Sequence, residues 1–214
     1  MKKKIGVIGS GLVAQTLGAG LLRYDYEVML GTREASKLTR WRLDHGKGQV
    51  GSFSEAACFG DILILAVAGR ATKSALDMIE PNYLAGKTII DVTNPIADTP
   101  PVNGVLRLFT DFTESLMEKL QQFFPQAHFV KAFNSVGSAC MVNPSFETKP
   151  TMFICGNHDA SKTDVTEIIT LFGWEVADMG SAEAARAIEP LCILWCIPGL
   201  KDNQWMHAFK LLKM

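Results

Sequence analysis

The stretch Lys4-Ile5-Gly6-Val7-Ile8-Gly9-Ser10-Gly11-Leu12-Val13-Ala14 governs how the rest of the chain is read. It opens as a short, β-branched apolar run. From Leu12 to Leu22 the period becomes helical, with Ala14, Leu17, Gly18 and Leu21 on one side. The junction between the two has the form G-x-G-x-x-A. Gly9 permits the tight turn, Gly11 lets the backbone approach a pyrophosphate, and Ala14 lets the helix pack closely on the strand. Free N–H groups at the helix start then face the phosphates. A glycine turn alone is common, but this one follows an apolar strand and opens a helix. A second strand, Glu27 to Leu30, comes about 20 residues on, the context that a dinucleotide-binding unit requires.

The end of that second strand separates two cofactors. A site for NAD places a carboxylate there to accept from the ribose 2′-hydroxyl, and the same carboxylate would repel a 2′-phosphate. Here the residues are Gly31-Thr32-Arg33. A hydroxyl beside a guanidinium suits a phosphate, so NADP(H) is the expected cofactor. The alternative is that Arg33 is a solvated charge and that Glu34 supplies the acid. Lys37, a turn later, adds positive charge or is an exposed helix lysine.

Outward from this unit the chain alternates strand and helix periods. A polar helix is expected over Glu34 to Asp44, a short strand near Gln49 and Val50, and a brief helix from Ser54. Asp61 to Val67 is almost wholly apolar, as a central strand covered on both faces must be. Helix Thr72 to Ile79 is stopped by Pro81, and Lys87 to Val92 is the next buried strand. A Pro-rich loop, Ile96 to Val105, lies over the strand ends and is placed to cover a second substrate. An amphipathic helix follows over Thr113 to Phe124. Strands His128 to Phe133, Thr151 to Cys155 and Glu175 to Asp178 come next, with a helix over Asp159 to Phe172. The expected fold is α/β, a doubly wound parallel sheet of the Rossmann NAD(P)-binding kind over residues 1–180. A C-terminal helical extension over 181–214 is expected to break at Pro190 and at Pro198-Gly199.

Composition narrows the function classes. The 214 residues carry 21 Lys and Arg against 22 Asp and Glu, for a net charge of -1. Nucleic acid is therefore excluded as a partner, since phosphate neutralisation takes a clustered basic excess. No apolar run reaches the roughly 18 residues of a membrane span, and a cytoplasmic location and no membrane partner are expected. The length leaves no room for a separate catalytic domain. Five cysteines without a CxxC pair read as reduced core thiols, with no metal site. Ligand-contacting positions are expected at the carboxyl ends of the strands: Ala66, Val67, Ala68 and Gly69, then Thr93 and Asn94, then Phe133, Asn134, Ser135 and Val136. The small residues at 66–68 let a dinucleotide lie against the sheet. Each asparagine either binds an amide, ribose or ring carbonyl or caps its own turn.

With these segments in hand the chain resembles the coenzyme F420-dependent NADP oxidoreductases and the soluble NADPH-oxidoreductase domain of the STEAP metalloreductases. The motifs that carry the resemblance are IGSGLVAQTLGAGLL, GTR after the second strand, DVTNP, VKAFN, MFICGN and DMGSAEAARAIEPL. It implies NADPH held by Ser10, Leu12, Val13, Thr32 and Arg33, with the nicotinamide near Ala66, Asn94 and the Ala132 to Ser138 stretch. It also implies a small-molecule hydride acceptor, a deazaflavin such as F420 or a flavin, stacked on the nicotinamide. Such a reaction needs no acid, base or nucleophile from the protein, in keeping with four dispersed histidines, His45, His128, His158 and His207. An F420 tail calls for clustered Lys and Arg, and only the scattered Arg70, Arg107, Lys131 and Arg186 are candidates. The metalloreductases continue into a membrane haem domain, so transmembrane metal reduction is not expected to carry over. A small carbonyl, imine or quinone substrate, or a non-catalytic NADPH sensor, are the alternatives. The apolar segment Ile188 to Leu200 reads as core or as a homodimer contact, and Trp195 and Trp205 as part of either or as walls of the acceptor site.

Overall fold

Alternate residues along each central strand supply two different apolar layers, which is why these segments read as nearly continuous hydrophobic runs. The computed structural model describes residues 2–214. Strands β1 (Ile5–Ile8), β2 (Val28–Gly31), β3 (Gln49–Gly51), β4 (Ile62–Leu65), β5 (Thr88–Asp91), β6 (His128–Lys131), β7 (Thr151–Gly156) and β8 (Glu175–Asp178) form one sheet. Its order is β3-β2-β1-β4-β5-β6-β7-β8. Ile5, Val7, Ile62, Ile64 and Ile90 pack on one face against Leu17 and Leu21 of α1 (Leu12–Arg23). Ile8, Leu63, Leu65 and Ile89 pack on the other against Phe53, Ala56 and Ala57 of α3 (Phe53–Phe59). The order reverses between β1 and β4, the switch point at which doubly wound sheets bind their ligands.

One strand pair departs from the all-parallel expectation, since β6 and β7 run antiparallel while β7 and β8 are again parallel. The intervening chain has only a 3-10 turn at Ser138–Cys140 and no crossover helix of the kind that parallel strands usually need.

Helix limits also move. The polar helix expected over 34–44 is a 3-10 turn, Ala35–Leu38, followed by a six-residue α2 (Thr39–Asp44). The Thr32 hydroxyl bonds both the N–H and the C=O of Glu34 and so holds the entry out of helical geometry. Helix α4 (Thr72–Leu76) ends early, and Pro81 opens a separate 3-10 turn. The helix expected from Thr113 begins as α5 (Leu116–Phe123), because Ser115 and Glu118 close a capping box there. Helix α6 (Asp159–Leu171) falls close to its expected bounds.

The C-terminal segment is the larger correction. It forms α7 (Ala185–Ile188) and α8 (Leu191–Asp202), and Pro198 lies within α8 without ending it. The bond that Pro198 cannot donate would go to Leu194, which is 55% exposed. Helix ends at Asn203, in the left-handed region with φ 53°, so residues 203–214 are not helical as expected. They run back across the sheet edge, where Thr151 N–H donates to Phe209 O and Leu211 N–H to the Thr151 hydroxyl. Trp195 is buried, donates to His207 O at 2.9 Å and packs on Gly137, where a β-carbon would come within 2.6 Å of its ring. Trp205 covers Gly199. Among the described residues no helix is long and apolar enough to cross a membrane.

Candidate functional site: a groove across the sheet switch point

Gly9 turns the chain out of β1 with φ 149°, and a β-carbon there would stand 2.3 Å from Ala66 O. Only glycine fits. The turn delivers Gly11 as N-cap of α1 with no side-chain cap and no acidic residue in the first turn. The helix therefore presents unsatisfied N–H groups and the positive end of its dipole. A β-carbon at Gly11 would meet nothing within 4 Å. The first glycine is demanded by the protein's own packing, whereas the space beside the second is left for something else.

That space is a groove of about 710 Å³, within the range of cofactor sites. Gly9, Ser10, Gly11, Thr32, Arg33, Lys37, Ala66, Val67 and Ala68 all line it, so most of the sequence-derived contact residues come together. Val67, Ala68 and Arg70 also line a second recess of about 360 Å³ that carries the groove on to Thr93 and Asn94. Arg70, which lines both recesses, pairs at 2.6 Å with Asp98 of the Pro-rich loop, whose Ile96, Ala97 and Asp98 line the second.

At the far end, Arg33 is exposed and forms no ion pair among the described residues. Glu34, the competing acid, is already engaged. Its carboxylate receives the Ser36 hydroxyl at 2.9 Å and the Lys37 ammonium at 3.1 Å. The Lys37 and Ser36 hydrogen bonds hold its pKa below the ordinary carboxylate value. The end of β2 thus offers a free guanidinium, while the Thr32 hydroxyl is held by the backbone of Glu34 and the one carboxylate is neutralised by its own turn.

At the other end Asn94 and Asn134 clasp each other. Asn94 Nδ2 donates to Asn134 O at 2.7 Å, and Asn134 Nδ2 donates to Asn94 Oδ1 at 3.1 Å and to Ile188 O at 2.9 Å. Asn134 Oδ1 is buried and has no hydrogen-bond partner, and Asn134 itself lies behind Asn94 and lines neither recess. The preceding residue, Phe133, takes φ 57° to aim this loop.

Several expected residues lie elsewhere. Ala14 and Ala132 are fully buried in the core, where they support the turn and the strand end rather than line the groove. Val13 is half-buried and lines neither recess, and Leu12, 69% exposed, faces a separate cleft between α1 and α2. Lys131, a candidate for an acidic tail, is wholly buried between Asp91 and Glu189. Arg186 is committed to Glu118, with Nη2 at 2.5 Å and Nε at 3.0 Å from its carboxylate. Arg70 and Arg107 are exposed. The cysteines are not all core thiols, since Cys58 is exposed and Cys196 half-buried. Burial pushes Cys155 and Cys192 up to about 12. Sequence reasoning missed Glu189 and the free Asn134 oxygen, which no spacing rule signals.

Residues 4–95 match the family of coenzyme F420-dependent NADP oxidoreductases. The metalloreductase STEAP3 of Rattus norvegicus is 29% identical over 201 residues, covering 92% of this chain and 38% of that protein. This chain therefore spans less than half the length of that metalloreductase. The F420-dependent NADP reductase of Methanocaldococcus jannaschii is 26% identical over 138 residues, 64% of this chain and 61% of that one. A solved structure from Arthrobacter sp. FB24, named as a candidate F420-dependent NADP reductase, superposes with a TM-score of 0.93 at 27% identity. It covers 99% of this chain and 100% of its own. The resemblance to the F420-dependent NADP oxidoreductases and to the metalloreductases is borne out by these matches.

Proposed function

From a chain whose residues 4–95 match the coenzyme F420-dependent NADP oxidoreductases, we propose an oxidoreductase that binds NADP(H) in the switch-point groove and exchanges a hydride with a deazaflavin or flavin. The residues present fit the dinucleotide. The uncapped start of α1 and the open space at Gly11 suit the pyrophosphate. Arg33 suits the 2′-phosphate beside Thr32, which lines the groove, and the orphaned oxygen of Asn134, held next to Asn94 of the second recess, suits a carboxamide N–H. The observation that carries the choice of NADP is the free Arg33 beside a Glu34 already held by Lys37 and Ser36.

When bound, the nicotinamide supplies the hydride. The chain itself binds, aligns and shields. Ala66, Val67 and Ala68 line the groove with small side chains, and Asn94, clasped with the buried Asn134, lines the adjoining recess. The Pro-rich loop, whose Asp98 pairs with Arg70, is the segment placed to cover the second substrate. Among the described residues no cluster of His, Cys, Asp or Glu suits a metal. The deazaflavin side of the proposal is supported by the whole-length likeness to the Arthrobacter structure. A cytoplasmic location and a homodimer through the exposed face of α8, with Leu194 and Leu200, belong to the same reading.

The test is to mix the protein with NADPH and, separately, coenzyme F420, FMN, FAD and quinones, following nicotinamide absorbance. Turnover with F420 or a flavin is expected. Binding of NADPH with no turnover on any acceptor would favour a sensor instead.

A further inference from the structure

Three of the segments quoted for the resemblance, DVTNP, VKAFN and the late IEPL, each contain a charged residue that binding of the dinucleotide does not use: Asp91, Lys131 and Glu189. The fold brings them together. Asp91 and Lys131 are register partners on β5 and β6, and Glu189 joins α7 to α8. Lys131 Nζ donates to Thr93 O at 3.0 Å and forms ion pairs with Asp91 Oδ2 at 2.7 Å and Glu189 Oε1 at 2.9 Å. The three side chains are 0%, 0% and 1% exposed. Burial works against the lysine's charge, but the two carboxylates outweigh it and hold it protonated above its ordinary range.

Each carboxylate has a second duty. Asp91 Oδ1 accepts from Thr93 N–H at 2.9 Å and from the Thr93 hydroxyl at 2.7 Å, which sets the bend leading to Asn94. Glu189 Oε2 accepts from Leu116 N–H and Oε1 from Met117 N–H, at 2.9 and 3.0 Å, and so caps α5 from a distant part of the chain. That cap offsets the extra negative charge left by two carboxylates on one ammonium. The residue before Glu189 supplies the carbonyl that receives Asn134 Nδ2. Thus Asp91 controls the wall that bears Asn94, and Glu189 controls the wall that bears Asn134. Lys131 locks the two together.

We propose that Asp91, Lys131 and Glu189 are positioning residues for hydride transfer. Their buried network sets the spacing of the Asn94–Asn134 clasp and hence the alignment of the reacting ring. The inference rests on the proposed function. Hydrophobic groups of similar volume would serve stability as well or better, whereas a buried ion-paired network whose charges each face several partners fixes the spacing of the segments that carry it. An amide cannot replace either carboxylate here, because each of its positions faces donors and the amide N–H₂ would meet another donor.

The test uses Asp91→Asn and Glu189→Gln, each of which leaves Lys131 paired with one carboxylate and the cluster neutral. With an acceptor on which wild type turns over, kcat per folded molecule should fall on the order of tenfold to a hundredfold. NADPH affinity, set at the Arg33 end, should stay unchanged. Glu189→Asp, which keeps both acceptor oxygens, should recover part of the loss. Independently of activity, the side-chain amide resonances of Asn94 and Asn134 should shift in both variants without cofactor, while that of Asn157, which accepts from Ala182 N–H elsewhere, stays put. Unchanged kcat or unmoved Asn94 and Asn134 resonances overturn the proposal, whatever the melting temperature. The wild-type chain gives a test that needs no variant: the Lys131 ammonium and Asn134 amide protons should exchange slowly with water, and fast exchange overturns it. Failure of wild type to bind NADPH would sink the proposed function, while the amide resonances would still decide the positioning role.

Discussion

Replacing Arg33 by alanine isolates the cofactor choice from the stability of the fold. The side chain is exposed and has no ion-pair partner among the described residues, so its loss removes no internal contact. Unfolding free energy should change by less than about 0.5 kcal/mol, as for other surface positions of this kind. Binding should suffer far more. A hydrogen bond to a charged group contributes about 1.5–3 kcal/mol, which at about 1.4 kcal/mol per decade is a loss of about 10-fold to 140-fold in NADPH affinity. Solvent exposure places the expectation toward the lower end, and raising the salt should shrink the difference between wild type and variant. NADH has no 2′-phosphate, so its affinity should not move. The assay is titration of both nucleotides by intrinsic fluorescence, at two ionic strengths. Equal losses for NADPH and NADH, or none for either, would refute the reasoning, because then Arg33 is a solvated charge and selection lies elsewhere.

Two further outcomes follow from local geometry. Gly9→Ala places a methyl against Ala66 O at a φ of 149°, and should lower stability in urea by about 1–3 kcal/mol while weakening both nucleotides alike; wild-type stability would mean that the turn relaxes freely. Glu118 is driven up by burial, but Arg186 and the Ser115 cap outweigh this and hold it at about 2, below its ordinary 4.5. Its contribution is therefore present above about 4.5 and lost as pH falls from there toward about 2. Glu118→Gln should be less stable than wild type near neutrality and close to it in strong acid. A stability gap that does not narrow on acidification would contradict that assignment.

The groove was legible where local chemistry and function coincide. Gly9, Gly11, Thr32, Arg33 and the 66–68 run are contiguous with the strand ends that deliver them, so a spacing rule finds them. Lys131 was misread because a lysine in VKAFN carries no mark of burial. Its neutralising partners stand 40 residues before it and 58 after it, at Asp91 and Glu189. Leu12 and Val13 follow the second glycine directly, yet the helix turns their side chains away from the groove.

Hydrophobic periodicity and the glycine turn together determined the sheet, its switch point and the groove's phosphate end, since each depends on contacts within a few residues. Only the tertiary structure decided the reversal of β7, the continuation of α8 past Pro198 and the strap after Asn203. It alone decided the buried network as well. These depend on what distant segments present to one another. A carboxylate or a proline is tolerated or costly according to whether its unmet hydrogen bonds fall in the core or in water.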